Sequence, residues 1–402
     1  MSSHSPEAVT PMFDALEPEA LVAEARRRVR LERFENESFH EGLGRLTASL
    51  SREAGLSAFG RFIACGEILR NLEVGLQLTD WHTRNPEVGR QAIARPLVIV
   101  GMGRTGTTIL HELLALDPAN RVPLWWEVDM PFPPPERATF TTDPRIAEVE
   151  AQLAQIETRM PDLKRIHRMG ATLPQECIRL TAVDFKSAGL STAYGVPSYT
   201  EWLLCEADMT SAYRLHRRFL QLLQWRNPRE RWVLKSPGHL WCLEALIRAY
   251  PDARLVQTHR DPLEALSSVA SMATVVRRMA SETVDPNAVA REWSRWMQLA
   301  CDRSVDFRER SEARNVPIVD VHFDAFMADP VAQVRRIYAR FDLELRSDVA
   351  QRMREYVERN PSDRDGRHAH RFEDTGLDLT AERAKVRRYQ EYFDVASEPT
   401  SR

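Results

Sequence analysis

The stretch PLVIVGMGRTGTTILHELLAL, residues 96–116, constrains the fold more than any other part of the chain. An unbroken apolar run after a proline suits a parallel strand buried on both faces, because such a strand has no solvent side to make polar. Glycines and small polar residues follow, and the apolar spacing then switches at once to that of a helix. Strand, glycine-rich loop and helix in this order form an anion cradle, since the N–H groups of the loop and the positive end of the helix face one point. Gly101, Gly106 and Thr108 fit the phosphate loop G-x-x-x-x-G-K-[ST], but Thr107 stands at the lysine position. In nucleotide triphosphatases that lysine serves the β and γ phosphates, and the hydroxyl after it holds magnesium. A loop that keeps its glycines and lacks its lysine is therefore expected to take a different anion. Arg104, inside the loop, supplies a fixed cation beside it.

The same alternation recurs downstream. RWVLK precedes SPGHLWCLEALIRAY, ARLVQTH precedes DPLEALSSVASMATVVRRM, and VPIVDVHF precedes VAQVRRIYARF. Strands alternating with helices of this length predict an α/β fold of the P-loop type, a mostly parallel sheet flanked by helices with its ligands beyond the carboxyl ends of the strands. From Glu17 to about Leu78 the apolar residues recur at helical spacing, which predicts two to four amphipathic helices as an additional helical N-terminal segment. The expected organisation is a helical segment over 1–94 packed on the core, the α/β domain over 95–393 and a flexible tail over 394–402. WWEVDMPFPPPERATFTTDP holds too many prolines for a regular helix and reads as a long loop or lid element.

A net charge of -3 leaves no global attraction for nucleic acid or an anionic membrane, so any anion site must be local. Lysine occurs only at Lys164, Lys186, Lys235 and Lys385, arginine supplying the remaining positive charge, so each lysine carries more information than usual. Cys65, Cys177, Cys205, Cys242 and Cys301 show no C-x-x-C spacing, which predicts reduced thiols and no metal site. The N-terminus lacks a signal-peptide pattern and no apolar run is long enough to span a bilayer, so a cytoplasmic location is expected.

A second anion site is legible in LVQTHRDPLEALSS. Arg260 falls at the end of a buried strand and Ser268 eight residues later, about two helical turns on, so both can converge on one group. Arg260 beside Asp261 also reads as an ordinary strand-end ion pair, and Ser268 as a packed helix serine. The presence of the first loop favours the binding reading of both.

With these two loops in this order the chain resembles the 3′-phosphoadenosine 5′-phosphosulfate (PAPS) dependent sulfotransferases, particularly a bacterial branch acting on small molecules. GMGRTGTT, THRDPLEALSS, WVLKSPGHL between them and DGRHAHRFEDTGL carry the resemblance, which runs from about residue 15 to 393. It implies that Arg104, Thr105, Gly106, Thr107 and Thr108 cradle the 5′-phosphosulfate, and that Arg260 and Ser268 hold the 3′-phosphate. It further implies that Arg364, Gly366 and Arg367 close over that phosphate and that Lys235 stands near the transferred sulfuryl group. Such a donor has no γ phosphate and needs no metal, which accounts for the missing lysine. Two positions depart from the resemblance: Ile109 replaces the aromatic residue that often follows the first loop, and Pro237 aligns with the histidine base of animal cytosolic relatives.

Sulfuryl transfer to an alcohol also needs an acceptor for the hydroxyl proton. His167 is the favoured candidate, since an imidazole titrates near neutrality. Glu127 in PLWWEV stands where some relatives carry a catalytic glutamate, His239 is third, and Glu176 is placed to orient whichever residue acts. Aromatic and apolar stretches such as TAYGVPSYTEWLL read either as the lining of an apolar acceptor pocket or as plain core; a small hydroxylated acceptor, apolar on the first of these readings, no nucleic-acid partner and no membrane span are expected, and a homodimer is compatible with the sequence. The competing readings are a P-loop kinase or nucleotide triphosphatase, which requires magnesium-ATP or magnesium-GTP, and a non-catalytic nucleotide-binding protein of the same fold.

Overall fold

β1 (Leu97–Gly101), buried at every residue, lies at the centre of a five-stranded sheet in the order β2-β3-β1-β4-β5. The computed structural model describes residues 16–159, 168–360 and 370–399. The flanking strands are β2 (Asn120–Arg121), β3 (Arg231–Lys235), β4 (Arg254–His259) and β5 (Ile318–His322), and each pairing is parallel. The predicted parallel α/β sheet is therefore present. Ile99 stands opposite Lys235, Gly101 opposite Thr258 and His259 opposite His322, so the registers bring the ends of β3, β1 and β4 together. The chain passes from one side of β1 to the other between β3 and β4, and in an open sheet such a reversal leaves a crevice at the carboxyl ends.

β4 is buried along its length, whereas the edge strand β5 alternates. One face of the sheet packs Leu97, Ile99, Val233, Val256 and Val319 against Leu110, Leu113, Phe326, Val334 and Ile337 from the helices Thr107–Ala115, Phe323–Ala328 and Pro330–Arg340. Ser347–Arg359 adds Val349 and Met353 to this core. On the other side Cys301, from the helix Pro286–Glu309, meets Met102 at 3.8 Å, and Tyr389, from Leu379–Phe393, bonds His259 at 2.7 Å.

Two compact units partition the chain: Met1–Gln91 with Ile178–Leu222 and Ala273–Val284, and Ala92–Cys177 with Leu223–Met272 and Asp285–Arg402. The sheet belongs to the second. The helical N-terminal segment is present in the first as Pro18–Val29, Phe39–Arg52 and Ala58–Arg84. Ser57 caps the last of these by accepting the Gly60 N–H at 3.0 Å, and a Cβ on Gly60 would lie 1.8 Å from the Ala280 carbonyl oxygen. Only a glycine permits that approach. Among the described residues no helix is long and apolar enough to cross a membrane.

The strands read from the sequence are present, with one addition: the two-residue β2, too short to carry a period. The proline-rich stretch contains one short helix, Trp125–Asp129, and no further helix until Pro144–Arg159.

Candidate active site

The cradle is built by backbone conformations that few residues tolerate. Gly101 has φ +155°, and a Cβ there would fall 2.1 Å from Thr258 Oγ1, so the first glycine lets β1 and β4 approach where the loop leaves the sheet. Arg104 is left-handed at φ 72° and Gly106 at φ 87°. For Arg104 that conformation costs on the order of 1–3 kcal/mol, which the surroundings must offset. Thr105 does much of this. Its hydroxyl donates to the Met102 carbonyl at 2.7 Å and bonds the Thr258 hydroxyl at 2.6 Å. The Thr105 side chain, read from the sequence as part of the cradle, is thus turned inward and buried, and shapes the loop from behind. Gly106 caps the helix Thr107–Ala115, whose first N–H groups extend the array of donors.

Arg104, Ser268 and Arg260 form one cluster. Arg104 Nε donates to Ser268 Oγ at 2.9 Å, and Arg260 donates to the Arg104 carbonyl at 3.2 Å. Arg260 lies at the end of β4 with its guanidinium over the Phe323 ring at 4.2 Å, and Ser268 is buried in the helix Pro262–Arg277. Burial first, and then the facing Arg260 charge, pull the Arg104 guanidinium below its ordinary value. A guanidinium that faces a like charge favours an anion nearby. The strand-end pair that the sequence suggested for Arg260 with Asp261 is replaced. Asp261 is taken by Arg383 at 2.5 and 2.9 Å, and Arg260 is engaged by Glu264 at 3.3 Å and Glu398 at 2.8 Å.

Lys235 ends β3 with only 2% of its surface exposed. Its ammonium pairs with the Glu176 carboxylate and reaches Thr108 Oγ1 at 3.5 Å, so it stands beside the first turn after the cradle. His111, one turn further, bonds the Val233 carbonyl at 3.1 Å; burial and then the Lys235 charge push its ring down to about 3. His239, on the turn Pro237–Trp241, is likewise buried and held at about 3. Rings of such low basicity are poor proton acceptors.

Glu127 is fully buried, and Arg121 grips it through two bonds of 2.6 and 2.5 Å. It also accepts the Leu124 N–H at 2.8 Å, capping the helix Trp125–Asp129. Arg121 in turn stacks at 4.8 Å on Phe140 and on Trp232. The glutamate that the sequence offered as a base is thus bonded through both oxygens with no exposed surface. His167, Arg364, Gly366 and Arg367 lie outside the described residues. Among the described residues no group of three or more His, Cys, Asp or Glu side chains could hold a metal ion.

The profile of the sulfotransferase family matches residues 96–348, from the strand of the cradle to beyond β5. The chain belongs to the sulfotransferase family. The sulfotransferase STF9 from Mycobacterium avium superimposes with a TM-score of 0.87 at 30% identity, covering 96% of this chain and 98% of that one. Sulfotransferase STF1 from Mycobacterium tuberculosis H37Rv gives 0.81 at 30% identity, covering 93% and 99%. The omega-hydroxy-beta-dihydromenaquinone-9 sulfotransferase Stf3 of Mycobacterium bovis is 24% identical over 281 residues, 65% of this chain. The match spans 66% of that relative's length. Sulfotransferases generally draw on PAPS, and the predicted α/β architecture with its helical N-terminal segment is the one these structures share.

Sequence reasoning named the loop, Arg260, Ser268 and Lys235, and the fold brings all of them to one edge of the sheet. It missed Glu398, which no local pattern marks, and gave Glu176 only a supporting place. The one signal for Glu176 was its position in a polar interruption, LPQE, ahead of an apolar run.

Proposed function

We propose that the protein is an enzyme transferring a sulfuryl group from PAPS to a hydroxyl of a small, apolar acceptor by in-line displacement. The observation that carries this reading is the convergence of Arg104, Ser268 and Arg260, which couples the loop's anion site to a second one beyond β4. PAPS carries anionic groups at both ends of its ribose, and the residues fit such a ligand. Gly101 and Gly106 keep the floor of the cradle free of side chains that would otherwise collide with Thr258 or crowd Phe323.

In this reading the backbone of Arg104, Thr105, Gly106, Thr107 and Thr108 holds the 5′-phosphosulfate. Arg260 and Ser268 hold the 3′-phosphate, with Arg364, Gly366 and Arg367 closing over it. Lys235 offsets the charge that builds on the departing phosphate, because a cation in a site largely screened from water acts strongly on nearby charge. No step calls for a metal. The acceptor class is proposed from the relative named for a lipid alcohol, omega-hydroxy-beta-dihydromenaquinone-9; the stretch TAYGVPSYTEWLL lends it no support, because Tyr194, Val196, Tyr199 and Trp202 are buried as core of the first unit. A kinase reading is disfavoured by Thr107 at the lysine position.

Thermal unfolding with 3′,5′-diphosphoadenosine, in the presence of a magnesium chelator, tests the donor site. Ligand at ~100 times its dissociation constant is expected to stabilise by about 2.7 kcal/mol, while magnesium-ATP gives a smaller effect. A shift with magnesium-ATP alone would restore the kinase reading. Transfer of radiolabelled sulfate from PAPS to a panel of apolar primary alcohols then separates an enzyme from a protein that only binds.

A further inference from the structure

Building on the sulfotransferase reading, we infer that Glu176 takes the acceptor's hydroxyl proton and that its pairing with Lys235 couples this proton transfer to departure of the phosphate. The pair lies one side chain from the cradle, since the Lys235 ammonium contacts both the Glu176 carboxylate and Thr108 Oγ1. Lys235 is nearly inaccessible at 2%, while the Glu176 side chain keeps 14% of its surface. Among the described residues the carboxylate is bonded through Oε1 to Lys235 and through no other atom, which leaves its second oxygen for a hydroxyl.

Glu176 is mounted rigidly. Residues 171–175 run antiparallel to 123–126: the Trp126 N–H donates to the Ala171 carbonyl at 2.9 Å, Trp125 to Leu173 at 3.0 Å, and Gln175 to Pro123 at 2.7 Å. The N–H of Glu176 donates to the Gln175 side chain at 2.8 Å. The buried Arg121–Glu127 pair and the Leu124 cap hold the other half of this ledge. Glu127 is therefore a positioning residue two steps behind the chemistry, and Glu176 is the carboxylate that the ledge presents beside Lys235.

The step balances. The acceptor oxygen forms its bond to sulfur while its proton passes to Glu176, and the bond from sulfur to the bridging oxygen breaks with its electron pair left on the 5′-phosphate. Protonation neutralises Glu176, so the Lys235 charge loses one partner at the moment the departing phosphate becomes another. The site neither gains nor loses net charge, which is the low-cost course in a poorly solvated place.

Donor turnover with water as the acceptor tests this without knowledge of the natural alcohol. Formation of 3′,5′-diphosphoadenosine from PAPS is followed in single turnover across pH for the wild type, Glu176→Gln, Glu176→Asp and His167→Ala, with diphosphoadenosine affinity measured on each. Glu176→Gln keeps a group that accepts from Lys235, so its affinity should stay within about twofold while turnover falls by about 10²–10⁴. The rise of rate with pH should vanish in Glu176→Gln and persist, at a lower rate, in Glu176→Asp. Normal turnover in Glu176→Gln, an equal loss of affinity and rate, or the full loss appearing in His167→Ala instead, overturns the assignment. If the Gln variant does not fold, the pH profile of the Asp variant decides. Where water is not accepted, the same comparison is made with the panel of apolar primary alcohols, and a wild type that binds diphosphoadenosine but turns over PAPS with none of them overturns it. A wild type that does not bind diphosphoadenosine at all removes the donor reading itself, a separate failure.

Discussion

Glu398 places its two carboxylate oxygens on the guanidinium of Arg260 at 2.8 and 2.9 Å, and its own N–H on Asp261 at 2.8 Å. A planar carboxylate held by two parallel N–H donors occupies the guanidinium as one edge of a phosphate does. The C-terminal stretch read from the sequence as a tail thereby sets an internal anion on the arginine assigned to the 3′-phosphate.

Removing that anion is expected to strengthen nucleotide binding. Glu398→Gln should raise the affinity for 3′,5′-diphosphoadenosine by about 5–30-fold, the equivalent of one to two kcal/mol, and leave adenosine 5′-phosphosulfate, which lacks the 3′-phosphate, unchanged. Arg260→Ala should move the first affinity the other way by roughly 1.5–3 kcal/mol and again spare the second. Calorimetric titration of both nucleotides measures this. Weaker binding in Glu398→Gln would mean that the carboxylate orients Arg260 rather than competing for it.

The Arg121–Glu127 pair should act on stability and hardly at all on nucleotide affinity. Arg121→Ala leaves a carboxylate buried without its partner, which costs about 3–5 kcal/mol. The urea midpoint is expected to fall accordingly, while the folded variant binds diphosphoadenosine as the wild type does. A loss below about 1 kcal/mol would show that water reaches Glu127 and that it is open to chemistry after all.

Stability should also fall on mild acidification. Burial holds His239 at about 3, and burial with the Lys235 charge holds His111 at about 3, against an ordinary 6.5. Between those values the unfolded chain binds more protons than the folded one, so this contribution is complete above pH 6.5 and shrinks as pH falls toward 3. Each ring can add a slope approaching about 1.4 kcal/mol per pH unit. Urea unfolding at a series of pH values from 7.5 down to 5.5 checks it; an unchanged midpoint would mean that the rings are hydrated in the folded protein.

Much of this architecture is written locally. An apolar run that must be a buried strand, glycines at the positions where φ is positive or a Cβ has no room, and the helical period after Gly106 depend on neighbours a few residues away, so a linear reading recovers them. Arg260 and Ser268 are legible for the same reason, being eight residues apart across one strand end and helix start. The ion pairs of the candidate site are of another kind. Lys235 meets Glu176 across 59 residues, and Arg260 meets Glu398 across 138. Thr105 turns inward because Thr258 waits on the adjacent strand. Glu127 and Arg121 are only six residues apart, yet their pairing across a turn into a closed aromatic pocket follows no helical or strand period. The sequence alone determined four of the five strands, the cradle and the cations, because periodicity and backbone sterics are local. Which carboxylate faces which cation was decided by the tertiary structure, because a buried charge takes whatever partner the packing brings within hydrogen-bond distance.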